Sequence, residues 1–265
     1  MELTLYQVDA FTSTPFSGNP AAVCVVEQAL TDDLMQAIAN EMNLSETAFV
    51  RKLEDGSWHL RWFTPVAEVD LCGHATLATS HVLFEKGFIS VDVPVQFDTL
   101  SGTLTVTREP SGLLVMDFPA EPATKDFSNE LIDKALNMDC LKHAANRMDA
   151  LAEVANEETL RGIQPDMSAI AALDVRGLIV TAPADDPELD FVSRFFAPQC
   201  GVPEDPVTGS AHCCLAPWWG ERLGKTRMKA RQVSARGGEV DVELAGERVL
   251  LRGRAVTVMT AQMDV

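Results

Sequence analysis

The chain has 265 residues, 46% of them hydrophobic, and 21 basic against 39 acidic side chains give a formal net charge of −18. That length supports one large domain or two smaller ones, and the composition is that of a folded globular protein rather than a disordered one. The acidity argues against nucleic acid and anionic membrane as partners, which both need clustered Lys and Arg, and no stretch reaches the ~18 apolar residues of a membrane span.

The opening Met1–Thr4 lacks the basic and apolar regions of a signal peptide, so a cytoplasmic location is expected. Leu3 to Phe11 alternates apolar and polar residues and reads as a half-buried strand. A turn cluster, Phe16 to Pro20, leads into a more buried strand, Ala21 to Val26. Thr31 followed by Asp32 and Asp33 caps a helix that runs to about Met42. Glu46 then sits in a short polar loop, Asn43 to Thr47, before apolar Ala48, Phe49 and Val50. Trp58 to Phe63 is a strand, and Gly73 to about Lys86 is a helix apolar on most of its surface, with Gly87 as its stop. Three short alternating segments near 93–98, 103–108 and 113–118 form a meander.

Pro119 and Pro122 mark the boundary between two halves, 1–119 and 120–265, with the last strand free to return to the first half. Beyond it, helical pattern covers 128–137 and 157–172, with a strand near 147–155. Val175 to Ala182 and Phe191 to Ala197 read as strands, and Gly209 to about Leu223 as a second central helix. The tail alternates through 227–235, 239–244, 247–252 and 255–260. This order predicts an α+β fold of two pseudo-repeated halves, each a sheet around its own helix. A Rossmann fold is disfavoured, because strands seldom alternate with helices and no Gly-x-Gly-x-x-Gly follows a strand.

Two stretches repeat one plan. Arg61-Trp62-Phe63-Thr64-Pro65 leads to Asp70-Leu71-Cys72-Gly73-His74, and Arg194-Phe195-Phe196-Ala197-Pro198 leads to Asp205-Pro206-Val207-Thr208-Gly209-Ser210. In each, an aromatic strand ends at a proline, an acidic loop follows, and a glycine opens an apolar helix. Free N–H groups at such a start, with the positive end of the helix dipole, suit a carboxylate substrate.

Glu46, between a helix and apolar residues, is a candidate general base whose pKa burial would raise; a capping or surface glutamate would occupy the same position. His74, at a helix start whose dipole favours the neutral imidazole, is a candidate hydrogen-bond partner for substrate, or else a histidine satisfying a buried carbonyl. Asp70 and Asp205 are explained by capping as well as by catalysis, and only their recurrence in both halves sets them apart. Cys72 before Gly73 suggests a thiol racemase, but the second half has Thr208 before Gly209, and a hydroxyl is too weak an acid to complete such a pair; Cys72 also suits a buried small hydrophobe. Six irregularly spaced cysteines fit free thiols, Cys-x-x-Cys spacing is missing, and His74, His81, His212, Cys213 and Cys214 match no zinc pattern, so no metal is expected.

Taken together, Phe16 to Val23, Ser45-Glu46-Thr47-Ala48-Phe49, Arg61 to Pro65 with Asp70 to Thr76, and Glu204 to His212 resemble the PhzF-like phenazine-biosynthesis family across nearly the whole chain. The resemblance implies the diaminopimelate-epimerase fold, a homodimer, no cofactor, and a small carboxylate substrate. It implies a catalytic set of Glu46, His74 and Asp205, with Glu46 moving a proton between substrate positions. Asn19, Gly73, Gly209 and Ser210 would bind the substrate, the two glycines through their backbone N–H groups. The expected activity is isomerisation by general acid/base catalysis. Alternatives are a racemase or epimerase using Cys72 as one base, and a small-acid binding protein without catalysis.

Overall fold

Alternating burial along short segments makes strands, and the computed structural model, which describes residues 1–265, joins sixteen of them with six α-helices. In chain order these are β1 (Glu2–Ala10), β2 (Asn19–Val25), α1 (Asp32–Met42), β3 (Glu46–Lys52), β4 (Trp58–Phe63), β5 (Glu68–Val69), α2 (Gly73–Glu85), β6 (Val95–Thr99), β7 (Gly102–Arg108) and β8 (Leu114–Pro119). There follow α3 (Asn129–Leu136), β9 (Lys142–Ala145), β10 (Asp149–Glu153), α4 (Glu157–Gly162), α5 (Met167–Ala171), β11 (Gly177–Pro183), β12 (Phe191–Phe196) and α6 (Gly209–Leu223). The last strands are β13 (Arg227–Gln232), β14 (Gly238–Ala245), β15 (Arg248–Gly253) and β16 (Ala255–Asp264). The fold is α+β, and no helix is long and apolar enough to cross a membrane.

The chain forms two compact units, Met1–Asp117 with Arg252–Val265, and Phe118–Leu251. In the first, the strand order is β16-β1-β2-β3-β4-β6-β7-β8, and β16 pairs antiparallel with β1 along its length. Two parallel pairs, β2 with β3 and β4 with β6, are bridged by α1 and α2 respectively. Ten of the thirteen residues of α2 are buried, so sheet covers it on most sides. Its interior hydroxyls turn back on the helix: Thr76, Thr79 and Ser80 donate to the carbonyls of Cys72, Ala75 and Thr76 at 2.6, 2.7 and 2.8 Å. Hydroxyls on a buried helix face keep their hydrogen bonds on leaving water when they are satisfied in this way. α1, by contrast, is amphipathic and packs Met35, Ile38 and Ala39 into a cluster with Leu5, Phe49 and Phe63. Its Thr31 hydroxyl caps the Leu34 N–H at 3.3 Å, and Asn43, left-handed at φ 49°, ends it.

The second unit repeats the connectivity. Its order is β15-β14-β13-β12-β11-β10-β9, again with two parallel pairs, β10 with β11 and β12 with β13, and α6 lies between the second pair in sequence as α2 does in the first. Trp219 Nε1–H donates to Thr181 Oγ1 on β11 at 2.9 Å, and Trp218 Nε1–H to Glu153 on β10 at 3.0 Å, tying α6 to its sheet. The core beneath gathers Ile132, Leu160, Ile170, Leu178, Val180 and Phe196.

Three sequence expectations are corrected. Glu46 is the first residue of β3 rather than part of a loop. The continuous helix expected over 157–172 is two short ones, because Pro165 cannot continue a helix and the Asp166 carboxylate caps a new one through the N–H groups of Ser168 and Ala169. β9, which the sequence pattern does not predict, is only four residues long, and only Ala144 and Ala145 of it are buried.

Candidate functional site

Strand pairing brings the first group of residues together. β2 and β3 are parallel with Ala21 opposite Glu46, so Asn19 and Glu46 lie at the same end of neighbouring strands. Asn19 is fully buried there. The turn before it needs Gly18, whose φ is +67° and where an added Cβ would stand 2.1 Å from the Ala10 carbonyl oxygen. α2 packs on β2 and β3 and begins at Gly73, capped by Cys72 in extended conformation without a side-chain hydrogen bond. The first-turn N–H groups of Gly73 and His74 therefore have no partner from a side-chain cap.

His74 links the two neighbours. Its Nε2 lies 3.2 Å from Glu46 Oε2, and its Nδ1 is 3.5 Å from the Cys72 sulfur. The 3.2 Å contact is an ion pair by distance, while the N–H direction misses the carboxylate oxygen, so neither atom completes a directed hydrogen bond. The imidazole is almost fully buried, and the Glu46 side chain keeps 18% of its surface exposed.

Charge follows from these contacts. Burial pushes the Glu46 carboxyl up, but the His74 charge 3.2 Å away, helped by the Cys72 thiol, outweighs it and holds the group below the usual carboxylate range. Burial likewise pushes His74 down, and the Cys72 sulfur at its Nδ1 together with the Glu46 charge at its Nε2 carries it well above the ordinary imidazole value. The Cys72 thiol is pushed up to about 11 by burial and by the Glu46 charge. Two sequence expectations are thereby reversed: Glu46 is not raised, and His74 is not neutral. The helix dipole amounts to roughly half a charge at the N-terminus, whereas Glu46 is a full charge at contact distance.

In the second unit, α6 begins at Gly209 after Thr208, also with no side-chain cap. The Thr208 hydroxyl donates to the Asp205 carboxylate, and the Thr208 N–H to Gln232 Oε1 at 2.9 Å, while Gln232 Nε2 donates to the Asp205 carbonyl at 2.6 Å. Ser210 receives an N–H from Arg176 at 2.9 Å, and Arg176 also grips the fully buried Asp149 carboxylate through two nitrogens at 2.9 and 2.6 Å. His212, whose Nδ1 is 2.8 Å from the Thr208 carbonyl, is buried and pushed down to about 4, so it is a neutral structural histidine.

The repeat has a structural explanation as well. Arg61 binds Glu68 through two contacts of 2.7 Å and lies 5.1 Å from the Phe63 ring; Arg194 binds Glu204 at 2.7 and 3.0 Å and lies 4.8 Å from the Phe196 ring. In each unit an arginine on the strand thus pins the acidic loop that feeds the helix start. Asp70 is exposed and does not cap α2, whose cap residue is Cys72.

Of the site residues expected from sequence, the first unit brings Asn19, Glu46, Gly73 and His74 to one end of its sheet; the second brings Asp205, Gly209 and Ser210 to the start of α6. No motif in the sequence surrounds Arg176, Asp149 or Gln232; Arg176, just ahead of β11, acquires a role only through its contact with Ser210. Glu46, Cys72 and His74 offer three ligand atoms within 4.8 Å of one another. A cation there would need the His74 lone pair that a proton holds in the ion pair.

A family model for phenazine biosynthesis-like proteins matches residues 8–261. The chain is 48% identical over 265 residues to an uncharacterized isomerase of Halalkalibacterium halodurans, and 49% identical over 266 residues to one of Pseudomonas aeruginosa, each match covering 99% of both chains. A crystal structure of a PhzF-family phenazine biosynthesis protein from Enterococcus faecalis superposes with a TM-score of 0.95 at 43% identity, covering both chains completely.

Proposed function

The chain belongs to the phenazine biosynthesis-like family, and from that premise we propose that it is a cofactor-independent isomerase that moves a proton on a small carboxylate substrate, with Glu46 as the acid/base. The observation that carries this reading is the Glu46–His74 contact of 3.2 Å at the start of α2, with Glu46 partly open to solvent. A carboxylate held ionised by a neighbouring imidazolium is ready to accept a proton throughout the neutral range. When Glu46 takes the proton, His74 is left as a cation without its counter-charge, next to the electron pair that builds up on the substrate. That fixed positive charge stabilises the enolate-like transition state, and the first-turn N–H groups at Gly73 hold the substrate carboxylate. Glu46 then returns the proton to a second carbon, completing an isomerisation without net redox change. Asn19, Asp205, Gly209 and Ser210 serve substrate binding and orientation in this reading, and the enzyme works as a homodimer.

The racemase alternative needs a thiolate at Cys72. A thiol pushed up to about 11 is protonated at neutral pH, which counts against it. The test is solvent exchange: the protein is incubated in deuterium oxide with a panel of small amino- and hydroxy-substituted unsaturated carboxylic acids. Deuterium incorporation with double-bond migration supports the proposal. Deuterium exchange without bond migration would favour epimerisation, and exchange into none of the panel would favour binding alone.

A further inference from the structure

Well away in sequence from Glu46 and Cys72, the second unit gathers another set of ligating side chains that the proposed reaction does not use. Asp133 lies on α3, Cys140 in the loop that follows, and His143 on β9. Asn137, left-handed at φ 56°, ends α3 and turns the chain back, and the Met138 N–H bonds the Asp133 carbonyl at 3.0 Å. The Cys140 N–H then donates to Asp133 Oδ1 at 3.0 Å, and His143 Nε2 lies 2.7 Å from the same oxygen. The carboxylate oxygen, the thiol sulfur and an imidazole nitrogen all lie within 4.8 Å of one another.

We propose that Asp133, Cys140 and His143 bind a zinc ion, with water in the fourth position. Cys140 and His143 are separated by two residues, a short loop able to chelate from one side, while Asp133 closes the other from a helix. Mixed oxygen, nitrogen and sulfur donors suit zinc, which has no directional preference of its own and accepts all three. Three atoms no more than 4.8 Å apart surround a point about 2.8 Å or less from each, so reaching the ~2.0–2.3 Å of zinc bonds takes sub-ångström shifts. The His143 side chain is 8% exposed and that of Asp133 22%, so the cluster keeps some access to solvent; His143 also lines a hollow of 430 Å³ with Asp126, Lys125 and Lys142, which Asp133 and Cys140 do not reach. Binding releases the Cys140 proton to solvent as the zinc–sulfur bond forms, and His143 Nε2 gives up the proton it shares with Asp133 so that its lone pair can reach the metal.

The test titrates the full-length protein with zinc by calorimetry and with cobalt(II) by absorbance. One equivalent should bind with release of at least the Cys140 proton, and cobalt should show a thiolate-to-metal charge-transfer band in the near ultraviolet. Cys140→Ala leaves the Asp133–His143 contact in place and should abolish the band while the melting curve is retained. His143→Gln should weaken zinc binding at least as much as the roughly 10–100-fold cost of losing an outer partner of a metal ligand. Cys72→Ala and Cys200→Ala should keep both band and stoichiometry. Absence of binding to the folded protein, a band that survives Cys140→Ala, or one lost in Cys72→Ala instead, would overturn the proposal.

Discussion

Glu46→Gln removes one negative charge and keeps the side-chain volume. At 3.2 Å the wild-type pair is worth about 5 kcal/mol at an effective dielectric near 20, before desolvation is subtracted. Breaking a buried pair usually costs about 3–5 kcal/mol because the remaining charge is stranded. In this variant His74 can shed its proton, so the expected loss of stability is no more than about 3 kcal/mol near neutral pH. Its pH dependence follows from the two shifts. Glu46 is depressed, so its contribution is present above its ordinary value of 4.5 and lost as pH falls through its folded value. His74 is raised, so its contribution is complete below its ordinary 6.5 and lost as pH rises through its folded value. The stability gap between wild type and variant should therefore be widest between pH 4.5 and 6.5 and narrow on both sides. Activity should fall more steeply: removing a general base costs roughly 10²–10⁴-fold, or about 3–5 kcal/mol of barrier. Urea unfolding across the pH range reads the first effect, and deuterium exchange into substrate the second. A pH-independent gap would refute the ion pair, and a fully active, folded variant would refute Glu46 as the base.

Cys72→Ala should keep turnover within about tenfold, since a neutral thiol contributes packing rather than proton transfer; near-complete inactivity would restore the thiol mechanism. Arg176→Met leaves the fully buried Asp149 without its partner; burial already holds that carboxyl above its usual range, so it can take up a proton, and the loss in chemical denaturation should be no more than about 3 kcal/mol, with a change below about 1 kcal/mol contradicting the pairing. Gly177→Ala would place a Cβ 2.4 Å from Phe195 Cζ and 2.9 Å from the Phe196 carbonyl oxygen, so a loss of about 2–3 kcal/mol is expected, and an unchanged melting temperature would show that the strand can give way.

Much of the fold was legible because its signals are local. Thr31 with its two acidic followers marks the start of α1, the apolar run after Gly73 marks a helix buried on most sides, and strict alternation marks the β6–β8 meander. Where local signals are weak the sequence gives little: β9 has one exposed and one half-buried residue in four, and α4 and α5 are divided by a single proline. The recurring Arg-aromatic-Phe stretches and helix-opening glycines were readable as a repeat, yet the arginines' task of clasping Glu68 and Glu204 was not, because each pair spans a turn whose closure no spacing rule fixes.

By itself, then, the sequence determined the element types, the two-fold plan and the identity of Glu46, His74 and Gly73 as residues worth watching. Protonation states belong to the tertiary structure alone. Burial by itself argues for a raised carboxyl, and a helix N-terminus by itself argues for a neutral imidazole; each is correct for an isolated group. The parallel pairing of β2 with β3 beneath the start of α2 sets Glu46 against His74, and at contact distance one full charge outweighs both the dipole and the loss of water.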